Sequence, residues 1–197
     1  GTNLLFSDHG FRGAVISSRH IRDITVTGST VRASAGVPLG ILCRTLADHA
    51  LDGLAPLYGI PGTVGGAIVM NAGAFGGTIA DHLAYVSVCR REGGVTTLSR
   101  EELAFSYRYS RLREQKETVL LSAEFVFPHT DSEKIREKMR QVLLERMQKQ
   151  PTALPCAGST FLKPREGYAA RYIEDAGLSG YRIGGAAVSL KHAGFIV

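Results

Sequence analysis

Apolar positions along this chain change their period several times, and each change predicts an element. Residues 14–17, 24–27 and 30–35 are short β-branched runs separated by polar or glycine turns such as Thr27-Gly28-Ser29, the pattern of neighbouring antiparallel strands. Pro38 then opens a helix in which Leu39, Leu42, Leu46 and Ala50 recur at helical spacing. Arg44, Asp48 and His49 fall on its other faces, and His49 reads as a surface residue rather than a ligand. Residues 83–89 and 95–98 predict a hairpin about Glu92-Gly93-Gly94. Ser99 with Glu102 has the form of a capping box and predicts a short helix. Residues 117–127 alternate as a strand, and a helix over 131–148 follows, with Thr130 and Glu133 as its capping box. Ile135, Met139, Val142 and Met147 are its expected apolar face. Residues 150–155 form a linker, and a helix over 168–176 stops at Gly177 in a left-handed cap.

Residues 58–77 break this rhythm. They hold seven glycines, one proline and almost no charge. Glycine lets another group approach the backbone and permits positive φ, at an entropic cost. Such a run suits a phosphate-bearing ligand held by backbone N–H groups and the start of a following helix, here expected near Val64. No Gly-Lys-Ser/Thr follows, which excludes a Walker loop, and the Gly-x-Gly-x-x-Gly of a Rossmann turn is absent.

Composition narrows the classes. A 197-residue chain that is 44% hydrophobic and 21% charged is an ordinary globular protein with room for a substantial core. No apolar run reaches membrane-spanning length, and the first residues do not have the form of a signal peptide. The chain lacks a starting methionine and reads as an excerpt. Cys43, Cys89 and Cys156 are widely spaced and form no metal or redox motif, which suits free thiols in a cytoplasmic protein. The moderate net charge of +5, without an aromatic-basic patch, suits small phosphorylated ligands about as well as nucleic acid, and a basic balance alone seldom means nucleic-acid binding. Ser159 lacks a nucleophile elbow, and the histidines lack zinc spacing, so neither hydrolysis nor a metal site is supported.

The glycine stretch, Gly59-Ile60-Pro61-Gly62-Thr63-Val64-Gly65-Gly66-Ala67 followed by Asn71-Ala72-Gly73-Ala74-Phe75-Gly76, closely resembles the flavin-binding loop of the UDP-N-acetylenolpyruvoylglucosamine reductase (UDP-N-acetylmuramate dehydrogenase) family. Further matches run along the chain. Gly1-Thr2-Asn3-Leu4-Leu5 is similar to the second half of a segment that lies against the flavin pyrophosphate. Phe105-Ser106-Tyr107-Arg108-Tyr109-Ser110 matches Phe-x-Tyr-Arg-x-Ser, and Ala157-Gly158-Ser159-Thr160-Phe161 matches Ala-Gly-Ser-x-Phe. Gly184-Gly185-Ala186 and Lys191-His192-Ala193-Gly194-Phe195 continue the likeness, the latter pointing to the shorter family type without a tyrosine-bearing insertion. Where the family has Lys and then Asn or Arg before a proline, this chain has Leu162-Lys163-Pro164.

The resemblance implies an α+β protein: an FAD-binding domain of the vanillyl-alcohol-oxidase-like type over residues 1–113, then a smaller α+β substrate domain over 114–197. It implies FAD as bound cofactor, NADPH as hydride donor, and reduction of UDP-N-acetylglucosamine enolpyruvate in cell-wall precursor synthesis. Gly1, Thr2, Asn3, Leu4, Ile60, Pro61, Gly62, Thr63, Gly65, Gly66, Ala67, Asn71 and Gly73 fall on cofactor-binding positions. Tyr107, Arg108, Gly158, Ser159 and Lys163 fall on substrate-binding ones, with Arg108 as the charge-stabilising catalytic residue and Ser159 as the proton donor. A guanidinium suits the first role because its fixed fork pairs with a carboxylate and stays charged. The family's further catalytic glutamate lies beyond the residue where this sequence ends. A monomer is expected, with no nucleic-acid or membrane partner. A non-catalytic flavin- or nucleotide-binding module is the alternative reading of the same loops.

Overall fold

The computed structural model describes residues 1–115 and 117–197. Contacts divide them into two compact units, Ala14–Val142 and a second made of Gly1–Gly13 with Leu143–Val197.

In the larger unit, β1 (Ile24–Thr27) and β2 (Thr30–Ser34) form the expected antiparallel pair. α1 (Leu39–Asp48) and the six-residue α2 (Val64–Val69) follow. A small ribbon of β3 (Gly73–Ala74) and β4 (Gly77–Thr78) comes next, then the hairpin of β5 (Leu83–Arg90) and β6 (Val95–Ser99). β7 (Thr118–Val126) completes a five-stranded sheet of order β1-β2-β7-β5-β6, antiparallel throughout. Val31, Ala33, Val86, Val88, Leu120, Ala123 and Phe125 point from this sheet into the core, where Leu39, Leu42 and Leu46 of α1 meet them. Each fully buried leucine contributes about 1.5–3 kcal/mol relative to exposure. In β5 a register shift between Leu83 and Tyr85 resets the alternation, so Leu83 and Val86 are both buried.

Several expectations need correction. Residues 14–17 join no ladder: Val15 and Ile16 are 72% and 84% exposed. β-branched residues favour a strand through pairing and packing, and this run has neither. The Ser99 box does form, with Ser99 N–H donating to Glu102 at 2.8 Å and Glu102 N–H to Ser99 Oγ at 3.4 Å. It caps successive turns rather than a helix, because Ala104 turns left-handed (φ 46°) and Leu103 C=O accepts from Arg111. α3 (Ser132–Lys149) is capped by Asp131, whose Oδ1 accepts from Glu133 and Lys134 N–H, while Thr130 N–H is tied to Ala50 C=O. Ile135, Met139 and Val142 are buried on α3 as expected, but Met147 is exposed and Arg146 takes its place. The angle decides this: eleven residues beyond Ile135 returns to the same face, twelve does not. Burial pushes the Arg146 guanidinium below its ordinary pKa.

The expected domain change at 113/114 is also displaced. β7 is hydrogen-bonded between β2 and β5, so it belongs to the first sheet, and the contacts divide the chain after Val142 instead. Lys116, at the start of the expected second domain, lies outside the described residues.

The smaller unit holds the C-terminal part of α3, then α4 (Ala169–Asp175) and a hairpin of β8 (Arg182–Ile183) and β9 (Ala186–Ala187). α4 ends as expected, with Gly177 at φ 70° and Leu178 N–H donating to Ile173 C=O at 3.1 Å. Reciprocal bonds between Ala187 and Val197, each 2.8 Å, tie the last strand-like segment beside this hairpin. Among the described residues no helix is long and apolar enough to cross a membrane.

Gly65 is where α2 meets the end of β2. Its N–H donates to Ala35 C=O at 2.9 Å, and a β-carbon there would lie 2.9 Å from Ala35 Cβ. Gly65→Ala should therefore lower stability by about 1–3 kcal/mol, read as a fall in the urea midpoint. An unchanged midpoint would mean that this contact is loose. Burial also pushes the Cys43 thiol up to about 12. Brief alkylation of the native protein should label exposed Cys156 and leave Cys43 unmodified until the protein unfolds.

Candidate flavin and substrate site

The glycine loop leaves Pro56 and Leu57 in the core, runs over half-buried Ile60 and exposed Pro61, and enters α2 through Gly62 (φ 126°) and Thr63. Thr63 caps α2: its Oγ1 accepts from Gly66 N–H at 3.4 Å. Val64 and Gly65 N–H donate to the Val37 and Ala35 carbonyls at 2.8 and 2.9 Å. The first turn of α2 is thus bound internally, and it does not act as the anion-binding end that the glycine pattern suggested. Gly65 and Ala67 are buried packing residues. What the loop offers outward is Pro61, half-buried Gly62 and Thr63, and exposed Gly66, where an added β-carbon would meet only Thr63 Oγ1, 3.7 Å away.

α2 ends at Met70, and Asn71 follows in a left-handed conformation (φ 43°). Its amide Nδ2 donates to Ser106 C=O at 2.9 Å, while its Oδ1 is buried without a hydrogen-bond partner. Gly73 opens the β3–β4 ribbon, and a β-carbon there would lie 3.5 Å from Arg108 Nη1. The structure thus brings the predicted Arg108 up to the glycine loop.

Arg108 occupies a tight turn in which Ser106 and Tyr109 exchange N–H···O=C bonds of 3.2 Å each. Its own φ is 55°, a conformation uncommon for a residue with a β-carbon. The guanidinium carbon lies 5.3 Å from the Tyr107 ring centroid, a cation–π distance. Around the turn, Arg113 Nη1 donates to Arg108 C=O at 2.9 Å, and Tyr109 OH donates to Glu114 at 2.8 Å. That hydrogen bond, then burial and the carboxylate's charge, raise the Tyr109 pKa. Ser110, fully buried, donates to Val69 C=O at 2.8 Å. Ser110 and Arg113 are contributors that sequence reasoning missed. Ser110 was visible only as the last letter of a motif, and nothing in its local sequence marks it as buried.

The remaining predicted residues, Gly1, Thr2, Asn3, Leu4, Gly158, Ser159 and Lys163, belong to the smaller unit. Residues 1–4 are exposed, with a turn at Thr2-Asn3. Gly158 is left-handed (φ 86°), which turns the chain into Ser159. Ser159 bridges Phe195, and Thr160 N–H donates to Gly194 C=O at 2.8 Å. A β-carbon on Gly194 would lie 3.3 Å from Ser159 Oγ and 2.9 Å from His192 Cε1, so serine and imidazole flank one glycine. His192 Nδ1 accepts from Gly194 N–H at 3.1 Å, and its ring stands edge-on to Phe195 at 4.9 Å. No motif in the sequence links His192 to Ser159; the fold brings both against Gly194. Lys163 Nζ lies 5.0 Å from the Tyr168 ring centroid.

The donor set suits a flavin. Exposed glycine backbone at Gly66 admits a flat or pyrophosphate-bearing group at close range, and Arg108 adds fixed positive charge beside Gly73.

Comparison with known proteins identifies the family. Residues 1–99 match the FAD binding domain family, and residues 150–197 match the C-terminal domain of UDP-N-acetylenolpyruvoylglucosamine reductase. The chain is 46% identical over 197 residues to the UDP-N-acetylenolpyruvoylglucosamine reductase of Caldanaerobacter subterraneus, covering all of this chain and 65% of that protein. It is 46% identical over 198 residues to the Thermotoga maritima protein of that name, covering 69% of it. The crystal structure of the Thermus caldophilus reductase superposes with a TM-score of 0.77 at 36% identity, over 84% of this chain and 60% of that one. The chain thus spans about two thirds of the length of the relatives it matches. It belongs to the UDP-N-acetylenolpyruvoylglucosamine reductase family of flavin-dependent oxidoreductases, and contains that family's FAD binding domain.

Proposed function

We propose that this chain carries out the FAD-dependent, NADPH-driven reduction of UDP-N-acetylglucosamine enolpyruvate to UDP-N-acetylmuramate, a step in peptidoglycan precursor synthesis. The observation that carries the reading is the Arg108 guanidinium held beside Gly73 of the glycine loop, which itself lies in the segment that matches an FAD binding domain. Bound FAD would supply hydride chemistry, which no protein side chain provides. The loop surface of Ile60, Pro61, Gly62, Thr63, Gly66 and Gly73 would hold it; in the smaller unit, Gly1, Thr2, Asn3 and Leu4 fall on further cofactor positions by the resemblance. Gly65 and Ala67 would support that surface from the core, where they are packed.

Arg108 would pair with the substrate carboxylate and stabilise the negative charge that develops next to it. Its left-handed turn sets the direction in which the side chain leaves the backbone, and the Tyr107 ring 5.3 Å away steadies the guanidinium, which would lessen reorganisation during the reaction. Tyr107 and Lys163 would contact the substrate. Ser159 would give its hydroxyl proton to the α-carbon of the enolpyruvyl group. A serine hydroxyl is a weak acid, so this role needs a neighbour that favours the alkoxide. The free cysteines are consistent with a reducing, cytoplasmic setting.

In the protein made from the whole gene, Arg108→Ala and Ser159→Ala should each lower kcat by about a hundredfold or more while leaving flavin absorbance unchanged. Near-normal turnover in either variant would remove that residue from its role. Gly66→Ala should weaken FAD binding without lowering the unfolding midpoint, the reverse of Gly65→Ala. FAD titration followed by flavin fluorescence separates the two.

A further inference from the structure

The turn that presents Arg108 is strained where it stands, and the structure shows what holds it. A left-handed arginine persists only where surrounding contacts over-determine it. Asn71 supplies one such contact from 35 residues away: its Nδ2–H bonds the carbonyl of Ser106, the residue that opens the turn. The side chain is suited to holding a fixed position. Asn71 is only 8% exposed, and its own backbone is left-handed. Asparagine is one of the few residues that tolerates that conformation while still offering a short amide donor. Ser110 is the second anchor, fully buried, with its hydroxyl on Val69 C=O. Both anchors lead back to the end of α2, so the glycine loop and the Arg108 turn form one braced assembly.

We propose that Asn71 is a positioning residue for Arg108, acting through the Ser106 carbonyl rather than chiefly as a contact to cofactor. The inference rests on the role proposed above for Arg108. When the amide is removed, the turn is free to relax toward right-handed backbone, and the guanidinium leaves its place beside Gly73. Loss of about one ångström in the placement of a catalytic group costs up to about a hundredfold in rate.

The discriminating substitutions are Asn71→Gly, which keeps the left-handed backbone and removes the amide, and Asn71→Asp, which keeps the shape but turns an acceptor toward the Ser106 carbonyl. Amide hydrogen exchange in the whole protein should speed up at least about tenfold at Ser106 and Tyr109, whose N–H groups close the turn. Exchange at Val86 and Leu120 in the sheet should stay at wild-type rates, which also shows that the variant has folded. With the proposed substrate, kcat/KM should fall about tenfold to a hundredfold, while flavin absorbance and reduction of the flavin by NADPH remain as in wild type. The double variant Asn71→Gly/Arg108→Ala should be no slower than Arg108→Ala alone, because Asn71 then has nothing left to position. Unchanged exchange in the turn, or losses that multiply in the double variant, would overturn the inference. If Arg108→Ala keeps full turnover, the proposed function of Arg108 fails instead, and the exchange rates still decide whether Asn71 holds the turn. Ser110→Ala is expected to reproduce the exchange result through the second anchor.

Discussion

β7 is the constraint on which the larger unit depends. It is paired along one side with β2 and along the other with β5, strands far from it in sequence, so no local hairpin can form this sheet. Once it is in place, its buried face and that of β2 give α1 and α2 a surface to cover. Ala35, just beyond β2, accepts from Gly65, and Ala35 N–H in turn donates to Leu121 of β7. Ala35 thus links the glycine loop to the central strand, and bonds from Val64 N–H to Val37 C=O and from Leu39 N–H to Gly62 C=O add to that fastening. A loop with this many glycines has high conformational entropy when unfolded, and this fastening opposes it.

The functional geometry grows from that fastening. α2 is short, its first turn is bound internally, and its far end carries Val69 and Asn71, the two points to which the Arg108 turn is tied. Positive φ at both Asn71 and Arg108 marks the place where the chain accepts local strain. That strain is offset by two part-buried hydrogen bonds, Asn71 to Ser106 and Ser110 to Val69. In the smaller unit a separate arrangement sets Ser159 and His192 on either side of Gly194. Each unit thus presents its own part of the proposed chemistry on a backbone feature that needs glycine or a left-handed turn.

Much of this was legible in the sequence, for identifiable reasons. Strands β1, β2, β5, β6 and β7 and the helices α1 to α4 follow from apolar period and turn chemistry, since those signals are local. The motif match identifies the family, and the structure adds that Arg108 lies beside Gly73 of the loop. The misses share a cause: they depend on contacts remote in sequence. Residues 14–17 have strand composition but no partner. The Ser99 box forms without a helix because Ala104 turns away. Met147 looked apolar enough for the core, yet the helical angle gave its place to Arg146. The expected junction at 113/114 falls before β7, whereas hydrogen bonding to β2 and β5 keeps β7 in the first sheet. Gly65 resembled a ligand-binding glycine, and its actual neighbour is Ala35.

The central claim is that the loop and the Arg108 turn serve a bound flavin that passes hydride to an enolpyruvyl sugar nucleotide. The most direct test is the visible absorption spectrum of the protein made from the whole gene, followed anaerobically through two additions. The account predicts a flavin band that bleaches with NADPH and returns when UDP-N-acetylglucosamine enolpyruvate is added. A protein that shows no flavin band even after incubation with FAD would contradict it, as would a bleached band that the enolpyruvyl substrate does not restore.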